Sequence, residues 1–210
     1  MSGKFISFEG GEGSGKSTQL RLLALAFEKS GLPFLATREP GGSSGAEKIR
    51  SLLVSGEVDS WDALTETLLF NAARADHINK LIKPAMMQGK TVICDRFLDS
   101  TIVYQGIGKG LGTVYIKSLH HMLFGNFMPD LTIILDIKPE DGLARAAKRS
   151  DNENRFEQLD IEFHQKIRAG FLKIAEMETQ RCVVFDANQD TDKLHKQIIE
   201  IIKTRCGIGL

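Results

Sequence analysis

The stretch Gly10-Gly11-Glu12-Gly13-Ser14-Gly15-Lys16-Ser17, directly after the apolar run Phe5-Ile6-Ser7-Phe8, constrains this chain more than any other. It fits G-x-x-x-x-G-K-[ST], the pattern of a phosphate-binding P-loop, and Thr18 adds a second hydroxyl. A loop that wraps a phosphate needs many backbone N–H donors and almost no side-chain bulk. Glycine supplies both the room and the positive φ values of such a wrap. In this pattern the lysine, Lys16, reaches the β- and γ-phosphates, and the Ser17 hydroxyl holds Mg²⁺. A helix opening near Lys16 adds its positive N-terminal end to the same anion. Residues 10–18 therefore read as the site of a nucleoside triphosphate.

The rest of the chain supplies the context that this loop requires. Short apolar runs predict strands over 4–9, 33–37, 91–95, 131–136 and 182–185. Between them, helical spacing predicts helices over 17–30, 43–53, 62–81, 113–124, 156–179 and 193–204. Asp62 is the expected N-cap of the third, with Leu64, Leu68 and Ala72 along one face. Pro84 starts or kinks a further turn ending at Gly89, and Pro139 opens a helical segment that runs into the charged stretch 145–155. The segment 96–112 is polar and Gly-rich toward its end, and reads as irregular. Strands alternating with helices predict an α/β fold whose parallel sheet is covered on both faces. Ligands of such sheets sit beyond the carboxyl ends of the strands, where Glu9, the P-loop, Arg38 and the pair Asp95-Arg96 fall.

A length of 210 residues, 42% of them hydrophobic, suffices for one domain spanning 1–210. The 27 basic residues balance 27 acidic ones, so no broad positive field argues for nucleic acid or an anionic membrane as partner. Cys94, Cys182 and Cys206 show no CxxC spacing, and the first two lie in apolar runs as buried thiols. None of the five histidines keeps metal-ligand company, so no zinc is expected, and Trp61 and the methionines read as packing residues. There is no signal peptide and no apolar run of membrane-spanning length, which makes the expected location cytoplasmic.

A regulatory GTPase would need an N-K-x-D guanine reader and a D-x-x-G switch. Asn79-Lys80 continues into Leu81-Ile82, and D-x-x-G is absent. A kinase of a small nucleotide fits better, because Arg38, Arg74 and Arg96 lie at strand ends or on a helix between them. A nucleoside monophosphate is already anionic and needs no general base. It does need guanidinium clamps that position it and offset repulsion between two phosphates. A nucleoside acceptor, the alternative, would instead need a carboxylate for its hydroxyl proton.

Three segments together resemble the thymidylate kinase family of the bacterial type: Glu9-Gly10-x-Glu12-Gly13-x-Gly15-Lys16-Ser17-Thr18, Arg38-Glu39-Pro40-Gly41-Gly42, and Asp95-Arg96-Phe97-x-x-Ser100-x-x-x-Tyr104-Gln105-Gly106. The likeness extends to Pro129-Asp130-Leu131-Thr132 and to Arg155-Phe156-Glu157. It implies phosphoryl transfer from ATP, with Mg²⁺, to dTMP. It also implies a P-loop kinase fold with a five-stranded parallel sheet and a lid over about 145–156, usually as a homodimer.

The resemblance also implies roles. Arg38 and Arg96 would hold the acceptor phosphate, and Asp95 would act on Mg²⁺ through water or orient the arginine; a merely structural Asp–Arg pair is the other reading. Glu12 would reach the 3′-hydroxyl of dTMP or nearby arginines, and Glu9 would tune the metal or the neighbouring loops. Phe70 would stack on thymine and Arg74 would bond its O4, against the plain reading of a core Phe beside a surface Arg. Ser100, Thr101, Tyr104 and Gln105 would contact base and sugar, Tyr104 by crowding the 2′ position.

Some relatives carry a catalytic arginine inside the P-loop, but positions 11–14 here are Gly, Glu, Gly and Ser. The arginine is then expected from the lid, where Arg145, Arg149 and Arg155 crowd together. Arg149 is the first choice and Arg155 the second. Asp186-Ala187-Asn188, after the last strand, is the candidate adenine contact.

Overall fold

The computed structural model describes residues 3–148 and 155–210. Five strands, β1 (Phe5–Glu9), β2 (Phe34–Arg38), β3 (Thr91–Asp95), β4 (Leu131–Asp136) and β5 (Cys182–Asp186), pair in parallel in the order β2-β3-β1-β4-β5. Ile6 on the central strand stands opposite Ile93 and Leu131, and Phe8 opposite Asp95 and Ile133. Side chains alternate across this sheet as the pleat requires. Phe5, Val92, Cys94 and Ile134 join one core, while Ile6, Phe8, Ile93 and Ile133 join the other.

Nine α-helices of the described residues surround the sheet: α1 (Lys16–Lys29), α2 (Ser44–Leu53), α3 (Ala63–His77), α4 (Lys83–Met87), α5 (Leu98–Thr101), α6 (Thr113–Phe124), α7 (Pro139–Ala146), α8 (Ile161–Met177) and α9 (Thr191–Cys206). The second core is closed by Leu23 and Phe27 of α1 and by Ile198 and Ile202 of α9; the first by Ile167, Phe171 and Ile174 of α8. Asp62 caps α3, as its position before the helix predicts, accepting from the N–H groups of Leu64 and Thr65. Cys94 and Cys182 are free and buried, as expected.

Four local readings are corrected. The segment 96–112 is not a loop: α5 runs into a π-helical stretch, Ile102–Gly108, whose residues Ile102 to Gly106 are all buried. Burial against α8 and α6 outweighs the glycines that suggested irregular chain. The helix expected over 62–81 is α3 followed by a second π-helical stretch, Ile78–Ile82, and then α4; a 3.6-residue period does not separate the two helix types. The helix expected from 156 starts at Ile161, because Asp160 caps it by accepting from Phe163 N–H, leaving Arg155 and Phe156 in the turn before it. Finally, Met87, Met122 and Met177 lie on the surface, whereas Met86 and Met128 pack against the core and Trp61 donates to the Leu52 carbonyl.

The apolar stripe of α3 also faces away from the sheet. Leu64 and Leu68 are exposed, while Glu66, Thr67, Asn71, Arg74 and His77 are buried. An inward face so polar on a helix beside the strand ends marks a site rather than a core.

Candidate active site

Positions 10 and 13 of the P-loop require glycine. Both have positive φ, 137° and 63°, and a Cβ on Gly13 would lie 1.9 Å from the carbonyl oxygen of Gly142 in α7. The Lys16 ammonium donates to the carbonyls of Gly10 and Gly11 at 3.1 and 2.8 Å and to Ser14 Oγ at 3.3 Å. Burial, reinforced by the nearby Arg96 charge, pushes its pKa down to about 8. Ser17 Oγ donates to Asp95 Oδ2 at 2.8 Å, which joins the end of β3 to the start of α1. This hydroxyl–carboxylate pair is a hard oxygen donor set that suits Mg²⁺.

Arg96 follows β3 in a left-handed backbone conformation, φ 67°, which non-glycine residues rarely adopt. Its neighbourhood holds it there. Its own N–H donates to Phe8 O, and the next N–H, of Phe97, donates to Glu9 Oε1 at 2.7 Å. Its guanidinium donates to Gly10 O, to Ser100 Oγ and, at 2.8 Å, to Glu12 Oε1, and lies 5.1 Å from the centre of the Tyr104 ring. Burial disfavours the Arg96 charge, and the Glu12 carboxylate more than offsets it. Tyr104 donates its hydroxyl to the same Glu12 oxygen at 2.8 Å. Glu12 thus turns from the loop interior toward Arg96 and Tyr104. Arg96 is bonded to Glu12, Gly10 and Ser100 rather than to Asp95, so the reading of a structural Asp–Arg pair is set aside. Glu9 serves the loop, accepting also from Ser100 Oγ at 2.6 Å; burial, with Asp99 adding to it, pushes its carboxyl up to about 8.

Behind this cluster, Arg74 is buried and stacked 5.0 Å from the Phe97 ring centre. Its Nε donates to Glu39 Oε2 at 2.7 Å and its Nη2 to Thr101 Oγ1 at 2.9 Å. Nη1 has no protein partner among the described residues. Burial works against the Glu39 charge, but Arg74 and His77 hold its carboxyl below the usual value. Phe70 is half-buried, with Phe156 6.3 Å away, and Phe156 meets the Tyr104 ring edge-on at 5.6 Å.

Most of these groups, though not Glu9, Gly10, Gly11 or His77, line one cavity of about 690 Å³. Residues 12–18, Arg38, Phe70, Arg74, Asp95, Arg96, Ser100, Thr101, Tyr104 and Gln105, all singled out from the sequence, line it together. Arg38 is half exposed and paired with Glu47, and Gly10 and Gly11 contribute the carbonyls that hold Lys16. Ala187, Gln189 and Thr191 also line it, with Arg145 donating to Ala187 O and Asn188 Oδ1.

A family model described as thymidylate kinase matches residues 8–198. The chain belongs to the thymidylate kinase family. It is 48% identical over 206 residues to a thymidylate kinase of Caulobacter vibrioides, covering 98% of this chain and 99% of the relative. It is 47% identical over 203 residues to one of Ruegeria pomeroyi, covering 97% and 96%. The crystal structure of thymidylate kinase from Ehrlichia chaffeensis superposes with a TM-score of 0.79 at 38% identity, covering 97% of this chain and 99% of that one.

Within this family member, the second candidate for a catalytic arginine is corrected. Arg155 is 1% exposed and spends its donors on Leu53 O, Glu57 O, Val58 O and Glu66 Oε2, the last at 2.6 Å. It staples the end of α2 to α3. Arg149, the first candidate, lies outside the described residues. The sequence reading missed the roles of Glu39, which holds Arg74, of Arg50, which donates to Pro40 O and lines the cavity, and of Phe156. Glu39 stands in the quoted segment 38–42, and only its distant partner reveals its task.

Proposed function

We infer that this protein, as one P-loop domain spanning 1–210, transfers the γ-phosphoryl group of ATP to dTMP, giving dTDP and ADP on the way to dTTP. Membership of the thymidylate kinase family supports this reading. The observation that carries it is a single cavity with a P-loop at one side and a buried, partly unpartnered guanidinium among aromatic rings at the other. A phosphate oxygen of dTMP forms the new P–O bond as the bond from the γ-phosphorus to its bridging oxygen breaks. No proton need move, since the acceptor oxygen is already ionised.

In this reading Lys16 meets the charge of the γ-phosphoryl group, and Arg96, with Arg38, orients the acceptor phosphate. Ser17 and Asp95 would hold Mg²⁺, which supplies charge neutralisation at the phosphates. Phe70 stacks on the base, Arg74 donates to its O4, and Tyr104 with Glu12 borders the sugar. Ser100, Thr101 and Gln105 complete the acceptor side, and Ala187 with Asn188 borders the adenine. Arg149 is our proposed catalytic arginine: residues 11–14 offer no further cation, and Arg155 is committed to the fold. A cytoplasmic homodimer completes the reading. It is supported by the exposed Leu64 and Leu68 of α3 and Val114 and Met122 of α6, and by the lack, among the described residues, of a helix long and apolar enough to cross a membrane.

The test is coupled ADP release with dTMP against thymidine, in MgATP. Turnover of dTMP alone is expected; turnover of thymidine alone would transfer the reading to a nucleoside kinase. Arg74→Ala is further expected to raise the KM for dTMP about tenfold or more, the cost of a charged hydrogen bond of about 1.5–3 kcal/mol. The KM for ATP should stay within a few-fold. Unchanged dTMP affinity by calorimetry would remove Arg74 from the site.

A further inference from the structure

We propose that Glu66 is a positioning residue that sets the base selectivity of the cavity, by dictating which atom of the Gln105 amide a bound pyrimidine meets. The proposal rests on the acceptor being a pyrimidine monophosphate, as inferred above. Glu66 is fully buried on the inward face of α3. Its Oε1 accepts from Gln105 Nε2 at 2.8 Å, and its Oε2 accepts from Lys109 Nζ at 2.8 Å and Arg155 Nη1 at 2.6 Å. A glutamine amide is nearly symmetric in shape, so either orientation fits its space and only its partners decide between them. An ionised carboxylate solely accepts, so Gln105 must aim its NH₂ group at Glu66. Its Oε1 is then the atom left for the cavity that Gln105 lines.

Arg74 lines the same cavity with Nε and Nη2 committed to Glu39 and Thr101, and Nη1 buried without a protein partner among the described residues. A bound base thus meets one donor, Arg74 Nη1, and one acceptor, Gln105 Oε1. Thymine or uracil offers the complement, a C4 carbonyl beside an N3–H. Cytosine offers the reverse, a 4-amino group beside a bare N3, and would leave buried groups unpaired.

Glu66→Gln tests this with almost no change of shape. Arg155 and Lys109 donate only, so they retain an oxygen at the Oε2 place, and the new NH₂ group takes the place of Oε1. Gln105 must then present its oxygen to position 66 and its NH₂ group to the cavity, beside the Arg74 donor. The ratio of kcat/KM for dTMP to that for dCMP should fall about tenfold or more, mainly through the KM for dTMP, with the KM for ATP within a few-fold. The double variant Glu66→Gln with Gln105→Glu returns an acceptor to the cavity and should bring the ratio back to within about threefold of the starting protein.

A purely structural Glu66 would lower the melting temperature and depress both substrates alike. An unchanged ratio in folded Glu66→Gln, or no recovery in the double variant, overturns the proposal. Should Glu66→Gln fail to fold, Gln105→Met carries the test: the ratio should again fall, and an unchanged ratio overturns it. Failure of the acceptor assignment looks different, because the unaltered protein would then not turn over dTMP.

Discussion

Lys16→Met is expected to keep the fold and to lose about three orders of magnitude in kcat, or about 4 kcal/mol of transition-state stabilisation. The side chain spends its donors on two loop carbonyls and the Ser14 hydroxyl, all neutral acceptors. A phosphate oxygen is a stronger acceptor for an ammonium, and charge on the transferring group makes it stronger still in the transition state. Methionine keeps the unbranched stem and deletes the cation. The burial and the Arg96 repulsion that push this ammonium down to about 8 also mean that its charge is lost from the free protein above that pH. Turnover by ADP release, beside a melting curve, checks the prediction. A variant retaining more than a tenth of the rate would exclude Lys16 from the chemistry.

Arg155→Ala should act on stability instead. Removing one member of a buried, hydrogen-bonded ion pair costs about 3–5 kcal/mol, because the partner charge stays buried. Here the partner is Glu66, with no exposure of its own, and Lys109 alone would remain to balance it. The carbonyls of Leu53 and Val58 would lose the Arg155 donor in the same step, while that of Glu57 would keep its bonds from Ser60. In a chain of this length the melting temperature should fall by about 10 °C. Arg149→Ala, by contrast, should lower kcat about a hundredfold or more if Arg149 is the catalytic arginine. An Arg155→Ala protein that melts normally but turns over slowly would make Arg155 catalytic.

Those two arginines show where reading the sequence stops. Both stand in one charged run, with the same chemistry, and only a contact across 89 residues assigns Arg155 to the fold. The P-loop, the five strands and the Asp62 cap of α3 were legible because each depends on neighbours within a few residues. Arg96 was legible as a cation at a strand end and Arg74 as one on a helix between strands, but their orientation was not. It depends on Glu12, Glu39 and Thr101, each brought close by the sheet order. The inward face of α3 misled for a related reason: Glu66, Arg74 and His77 have the composition of a solvated face, and their burial follows from the site they build. The π-helical stretch carrying Tyr104 and Gln105 was hidden by its glycines, and burial beside α6 and α8 decided its form.

The measurement that decides most is coupled ADP release across a panel of nucleoside monophosphates in MgATP. One cavity joins the P-loop to a donor–acceptor pair, Arg74 Nη1 and Gln105 Oε1, shaped for a pyrimidine carrying a C4 carbonyl. The kcat/KM for dTMP should therefore exceed those for AMP, GMP and CMP. Equal or faster turnover of any of those three would contradict the assignment of dTMP as the acceptor.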